Sequence, residues 1–130
     1  MLRHRITVDG YHRMAEAGIL APDARVELID GQVIDMAPMK SRHAAAVRLL
    51  DRRLTLAVGD AAIVSCQLPL RLSDSSEPEP DLMLLRPRAD FYAAQHPGPA
   101  DVLLLVEVAD TSLDYDRRVT LPLYARHGVS

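Results

Sequence analysis

Two short apolar runs, each carrying one acid, constrain this chain most: Glu77-Pro78-Glu79-Pro80-Asp81-Leu82-Met83-Leu84-Leu85 and Val102-Leu103-Leu104-Leu105-Val106-Glu107-Val108. Both have strand length, and strand alternation puts Glu107 on the face that holds Leu103 and Leu105. An unpaired buried carboxylate costs roughly several kcal/mol, so Glu107 needs an arginine, a metal ion or a proton. Asp81 opens its run, whereas Glu107 nearly closes its own. If the two strands are antiparallel neighbours, both carboxylates meet at one end of a sheet.

The rest of the chain has to supply that sheet and its cover. With 130 residues, 48% hydrophobic and 25% charged, the sequence reads as one soluble globular domain, 1–130. No apolar run approaches the roughly 18–20 residues of a membrane span. The start, Met1-Leu2-Arg3-His4-Arg5, lacks the apolar segment of a signal peptide, so the expected location is cytoplasmic. The formal charge of −3 gives no global attraction to nucleic acid, and any such binding must come from a local patch. Arginine carries nearly all the positive charge, and Lys40 is the only lysine. The lone Cys66 has apolar neighbours and reads as a buried core thiol rather than a nucleophile.

In chain order, Thr7 is placed to cap a helix through Tyr11, Met14 and Ala15 that stops near Gly18. Residues 25–29, Asp30-Gly31 and residues 32–36 read as a hairpin, because Asp-Gly supplies the positive φ angles of a two-residue turn. Ser41 is placed to cap a second helix reaching Val58, with Gly59 as its stop. His43, Val47, Leu50, Leu54 and Ala57 line one side of it; Arg48, Asp51, Arg52 and Thr55 take the other. Residues 61–66 are β-like, and residues 73–80 form a polar turn region with an extended approach to Asp81. Strand 81–85 is followed by a long surface loop, 86–100, with one helical turn expected around Phe91 and Tyr92. Strand 102–108, the most apolar, is expected at the centre of the sheet. A last helix, about 114–127, crosses back with Pro122 inside it. The pattern reads as an α/β fold, with helices laid on a sheet.

Two convergent carboxylates at a sheet end offer a hard divalent cation the oxygen ligands it prefers. That chemistry is metal-dependent phosphodiester hydrolysis, in which the ion activates water and neutralises developing charge. The other reading of the same residues is structural: Glu107 pairs with Arg117 or Arg118, and Asp81 caps a turn. The five histidines, His4, His12, His43, His96 and His127, show no spacing of the His-Glu-x-x-His kind, so no zinc site is expected. His43 reads first as a packing or capping residue. No Gly-x-Ser-x-Gly elbow and no Gly-rich phosphate loop occurs. Arg48, Arg52 and Arg53 read as a solvated helix face.

Taken together and in order, Arg25-Val26-Glu27-Leu28-Ile29-Asp30-Gly31, His43, Glu77-Pro78-Glu79-Pro80-Asp81, Leu105-Val106-Glu107-Val108, and Tyr115-Asp116 through Tyr124-Ala125-Arg126-His127-Gly128 resemble the Uma family of restriction endonucleases, within the PD-(D/E)xK nuclease superfamily. The resemblance spans almost the whole chain, and its ordered set, not any single piece, makes it specific. It implies a restriction-endonuclease-like α/β fold with a mixed sheet flanked by helices, DNA as substrate, and Mg2+ (or Mn2+) held by Asp81 and Glu107. Glu27 becomes a third catalytic acid, with a surface ion pair as its equal alternative. Arg117 or Arg118 is expected to contact phosphate.

Two departures stand beside it. The superfamily's lysine, two residues after the second acid, is replaced by Ala109, and the lysine that many members carry in the following helix is replaced by Thr120. Lys40 is the one lysine left to approach the site in space, flanking the helix that bears His43. Family members also continue past the Gly128 position into a further strand, whereas this sequence stops at Ser130. The expectation is therefore a C-terminally truncated domain whose uncovered sheet edge pairs with another chain in a homo-oligomer. The rival expectation is a catalytically inactive remnant serving as a binding or interaction module.

Overall fold

A computed structural model describes residues 2–108 and 121–129. In order they form α1 (Val8–Glu16), β1 (Val26–Ile29), β2 (Gln32–Asp35), α2 (Ser41–Val58), β3 (Ile63–Cys66), β4 (Leu82–Leu85), β5 (Val102–Val106) and α3 (Leu121–Arg126). The architecture is mixed α/β, with a β1–β2 hairpin and a three-stranded antiparallel sheet in the order β3-β4-β5.

Local chemistry explains most of these elements. Thr7 caps α1, its Oγ1 accepting the Gly10 N–H at 3.0 Å. The hairpin turns on Asp30 and Gly31, with φ of 47° and 77°, the left-handed pair that a tight hairpin demands. Gly59 ends α2 with φ 50°. The start of α2 differs from expectation: Lys40 holds the N-cap position without a side-chain bond, and Ser41 is already helical.

The inner face of α2 is also shifted. Val47 is its buried residue, whereas Ala57 is exposed and Asp51 is half-buried, on the side of α2 from which its charge reaches Cys66 of β3.

Three expectations fail for reasons of packing. First, β5 is not central: β4 lies in the middle, and among the described residues β5 forms an edge with Leu103 and Leu104 43% and 40% exposed. Second, the pairing of β4 with β5 shifts between Leu84 and Leu85, matching Leu84 to Leu104 but Leu85 to Val102. Leu103 is thus the extra residue of a bulge, which removes it from the face it would share with Leu105 and Glu107. Third, Phe91 and Tyr92 have φ of 51° and 62°, so they form a left-handed turn, closed by Ala93 N–H donating to Asp90 O, and not a turn of right-handed helix.

Residues 73–80 are the greater surprise. Ser76, Glu77, Pro78 and Pro80 are all buried. The segment accepts or donates main-chain bonds on several sides: Val8 N–H to Asp74 O, Gly31 N–H to Ser75 O, Glu77 N–H to Leu28 O, Leu72 N–H to Ser76 O and Leu70 N–H to Pro78 O. The stretch leading into Asp81 is thus clamped by α1, the hairpin and residues 70–72. The core beneath gathers Ile29, Leu70, Leu72, Met83, Leu85, Leu123, Tyr124 and Val129. Residues 114–120 of the expected last helix lie outside the described residues. Among the described residues no helix is long and apolar enough to cross a membrane.

Candidate functional site

The antiparallel register aligns Leu82 with Val106, so the next step of the ladder sets Asp81 beside Glu107 at one end of the sheet. The strand partnership anticipated from the two acid-bearing runs is therefore present, with both acids just beyond the paired residues.

Asp81 is held on both carboxylate oxygens. Its Oδ2 accepts the backbone N–H of Val108 at 2.8 Å, and its Oδ1 accepts from His43 Nε2 at 3.2 Å. The imidazole and the carboxylate are 11% and 13% exposed. His43 stands in the first turn of α2, whose packing against β3 delivers it to the sheet end. It is thus the capping partner of an acid and not simply a packing residue. Glu107 Oε1 accepts the Tyr124 hydroxyl at 3.2 Å, so α3 supports the second acid as it fills the core.

Glu27 goes elsewhere. Its Oε2 accepts the backbone N–H of Glu79 at 3.1 Å, and it does not close with Asp81 and Glu107 into a compact ligand trio. Lys40 is exposed at the N-cap of α2, three residues before His43. Arg117, Arg118, Ala109 and Thr120 lie outside the described residues.

The sheet end offers carboxylate oxygens, the donor type a hard divalent cation takes. Each carboxylate oxygen has about two acceptor positions, and the bonds to Val108 and His43 take one on each oxygen of Asp81. Oxygen ligands of this kind suit magnesium or manganese.

The environment beside Glu27 is acid-rich. Burial first, then Glu77, raises the carboxyl of Glu79 above its ordinary range, against the opposing charge of Arg25. The Tyr11 hydroxyl, which donates to Val26 O at 3.2 Å, is pushed up to about 12 by burial and by the charges of Glu79, Glu77 and Glu27.

A second cluster escaped sequence reasoning. His12 Nε2 donates to Glu77 Oε1 at 2.7 Å, and His96 packs edge-on to His12 with ring centroids 6.1 Å apart. One ligand atom from each of His12, Glu77 and His96 lies within 4.8 Å of the others, the one such trio among the described residues. These residues are far apart in sequence, so no spacing rule finds them. The only signal was an acid inside a stretch whose prolines remove backbone donors.

A central antiparallel sheet with a helix on one side and acids at its end defines a restriction-endonuclease-like α/β protein. Residues 8–130 match the family model Uma2, described as "Putative restriction endonuclease". The chain belongs to this family, and through it to the PD-(D/E)xK-like nuclease superfamily. Comparison with curated proteins finds no match.

Proposed function

We propose that this protein is a divalent-metal-dependent endonuclease that hydrolyses DNA phosphodiester bonds at the Asp81–Glu107 end of the sheet. The observation that carries the reading is the register that sets Asp81 beside Glu107, in a chain of an endonuclease family. Asp81 and Glu107 would hold the ion through oxygen, and a magnesium or manganese ion bound there supplies acidity to water and neutralises charge on the phosphate.

The chain's own residues do the positioning. The Val108 N–H and His43 fix the carboxylate plane of Asp81, and the Tyr124 hydroxyl fixes Glu107. Such support limits the movement of each ligand and preserves a productive geometry. With Ala109 and Thr120 in place of the superfamily's lysines, the chain's one lysine, Lys40, stands exposed at the N-cap of α2, three residues before His43. Glu27 acts on this reading as a brace for the approach to Asp81, through the Glu79 N–H.

The test is cleavage of supercoiled plasmid by the purified chain with magnesium or manganese, beside Asp81→Asn and Glu107→Gln. Nicked or linear product is expected from the wild type alone, with each variant reduced at least about 100-fold, a loss of roughly 2.7 kcal/mol in transition-state stabilisation. Cleavage that survives both substitutions would place the chemistry elsewhere. No cleavage and no calorimetric metal binding would favour a non-catalytic binding module.

A further inference from the structure

Glu77 is 3% exposed, and while its Oε1 takes the His12 bond, its Oε2 is buried with no hydrogen-bond partner among the described residues. An orphaned carboxylate oxygen in the interior is costly and calls for a compensating cation or donor. The groups nearest it are suited to the first. His12 Nε2 is on Oε1 already, and His96 brings a further ligand atom within 4.8 Å. The three open onto a cleft of about 580 Å³ that Arg71, Tyr92 and Asp101 also line.

We infer that His12, Glu77 and His96 form a second metal site, separate from the sheet end, that takes a zinc-class transition ion. Two imidazoles and one carboxylate are the ligand chemistry of zinc and its neighbours in the first transition row, whereas magnesium prefers oxygen alone. Three protein ligands would leave a fourth tetrahedral position open to a water or another small ligand from the cleft. Ligand atoms on a tetrahedral zinc stand about 3.3 Å apart, given bond lengths of about 2.0–2.2 Å. The His12–Glu77 contact of 2.7 Å therefore opens a little, and His96 closes in, as the ion enters. His96 belongs to the long loop after β4, so its approach moves no core element.

Electrostatics support the assignment. Glu27 reaches the same segment, its Oε2 accepting the Glu79 N–H at 3.1 Å, so three acids, Glu27, Glu77 and Glu79, gather here before any ion arrives. The opposing cation at the cleft, Arg71, is engaged by Asp9 at 3.5 Å and Asp74 at 3.4 Å. The Asp101 carboxylate accepts the Gly98 N–H at 2.9 Å. An ion here would tie three segments together: α1 through His12, the buried 73–80 segment through Glu77, and the loop through His96. It would thus fasten the loop to the segment that carries Asp81.

The test uses the full chain, freed of metal by a chelator and titrated with Co2+ as a spectroscopic stand-in for zinc. One equivalent with the intense visible absorption of a tetrahedral centre, displaced by Zn2+ and not by Mg2+, is expected. His96→Ala, on an exposed loop, should keep the fold by circular dichroism yet lose at least about tenfold in affinity. His12→Ala should do the same. Zn2+ should raise the thermal midpoint of the wild type and leave that of His96→Ala unmoved. Asp81→Asn should bind Co2+ as the wild type does, which keeps this result independent of whether the sheet end cleaves DNA. Absence of the absorption, wild-type affinity in His96→Ala, or loss of the signal in Asp81→Asn would each overturn the assignment.

Discussion

Cys66 closes β3 against α2, and its thiol is pushed up to about 11 from an ordinary 9.0, by burial first, then by the charge and hydrogen bond of Asp51, and by Asp81. The sequence reads it as a buried core thiol, whereas the structure leaves it half-buried; partial burial and two opposing carboxylates keep it from ionising. The linkage has a definite sign. The unfolded thiol ionises near 9.0 and the folded one only near 11, so between those values the folded state binds more protons and stability falls as pH rises. Below that window the contribution is fully present, and above it the loss is complete. The expected result is a urea midpoint that declines from pH 9 to 11 more steeply in the wild type than in Cys66→Ala. Alkylation of Cys66 should be slow at pH 8 for the same reason. Equal slopes in the two proteins would mean that the folded thiol is not held above the unfolded one.

The hairpin shows how an element can be set by one residue and its neighbour. Gly31 has φ of 77°, and a Cβ there would stand 2.6 Å from the Cβ and 2.8 Å from the Cα of Arg5. Its N–H and C=O are both engaged, with Ser75 O and Ile6 N–H. Gly18 has the same φ, and no atom of the described residues lies within 4 Å of a Cβ placed there. Gly18→Ala should therefore cost only the left-handed penalty of about 1–2 kcal/mol. Gly31→Ala should exceed it by at least about 1 kcal/mol, because packed atoms must move as well; chemical denaturation of both variants reads the difference. The hairpin, α1 with its Thr7 cap and the α2 stop at Gly59 were legible because each depends on a few adjacent residues. The edge position of β5 was not, since its apolar composition states that it is buried somewhere but not on which side the neighbours lie. Nor were the burial of residues 73–80 or the His12–Glu77–His96 cluster, which need α1, the hairpin and the loop brought together. Asp81 and Glu107 stood between these cases: their pairing followed from strand direction, but the support from His43 and Tyr124 required the placement of two helices.

At the scale of the molecule, residues 121–129 are part of what holds the sheet. Leu123, Tyr124 and Val129 are three members of the core beside Met83 and Leu85 of β4 and Ile29 of the hairpin. Arg126 also reaches Asp30 in the hairpin turn at 3.3 Å, although an exposed pair of this kind adds little to stability. The consequential contact is apolar: α3 covers the β4 face and at the same time sets the Tyr124 hydroxyl on Glu107. Core and candidate site are therefore coupled through one short helix. Leu123→Ala should cost about 2–5 kcal/mol, the range for a buried leucine whose cavity collapses only in part. Tyr124→Phe keeps the ring in the core and removes the hydroxyl alone, so its stability loss should stay near 1 kcal/mol. On the proposed nuclease reading the order reverses for function. In conditions where both variants are folded, Tyr124→Phe should lower plasmid cleavage and metal affinity at the sheet end more than Leu123→Ala does, because it removes one support of the carboxylate without loosening the core. Denaturation midpoints and calorimetric Mn2+ titration on the same two proteins separate the effects, and a Tyr124→Phe chain that binds Mn2+ as tightly as the wild type would remove Tyr124 from the support of Glu107.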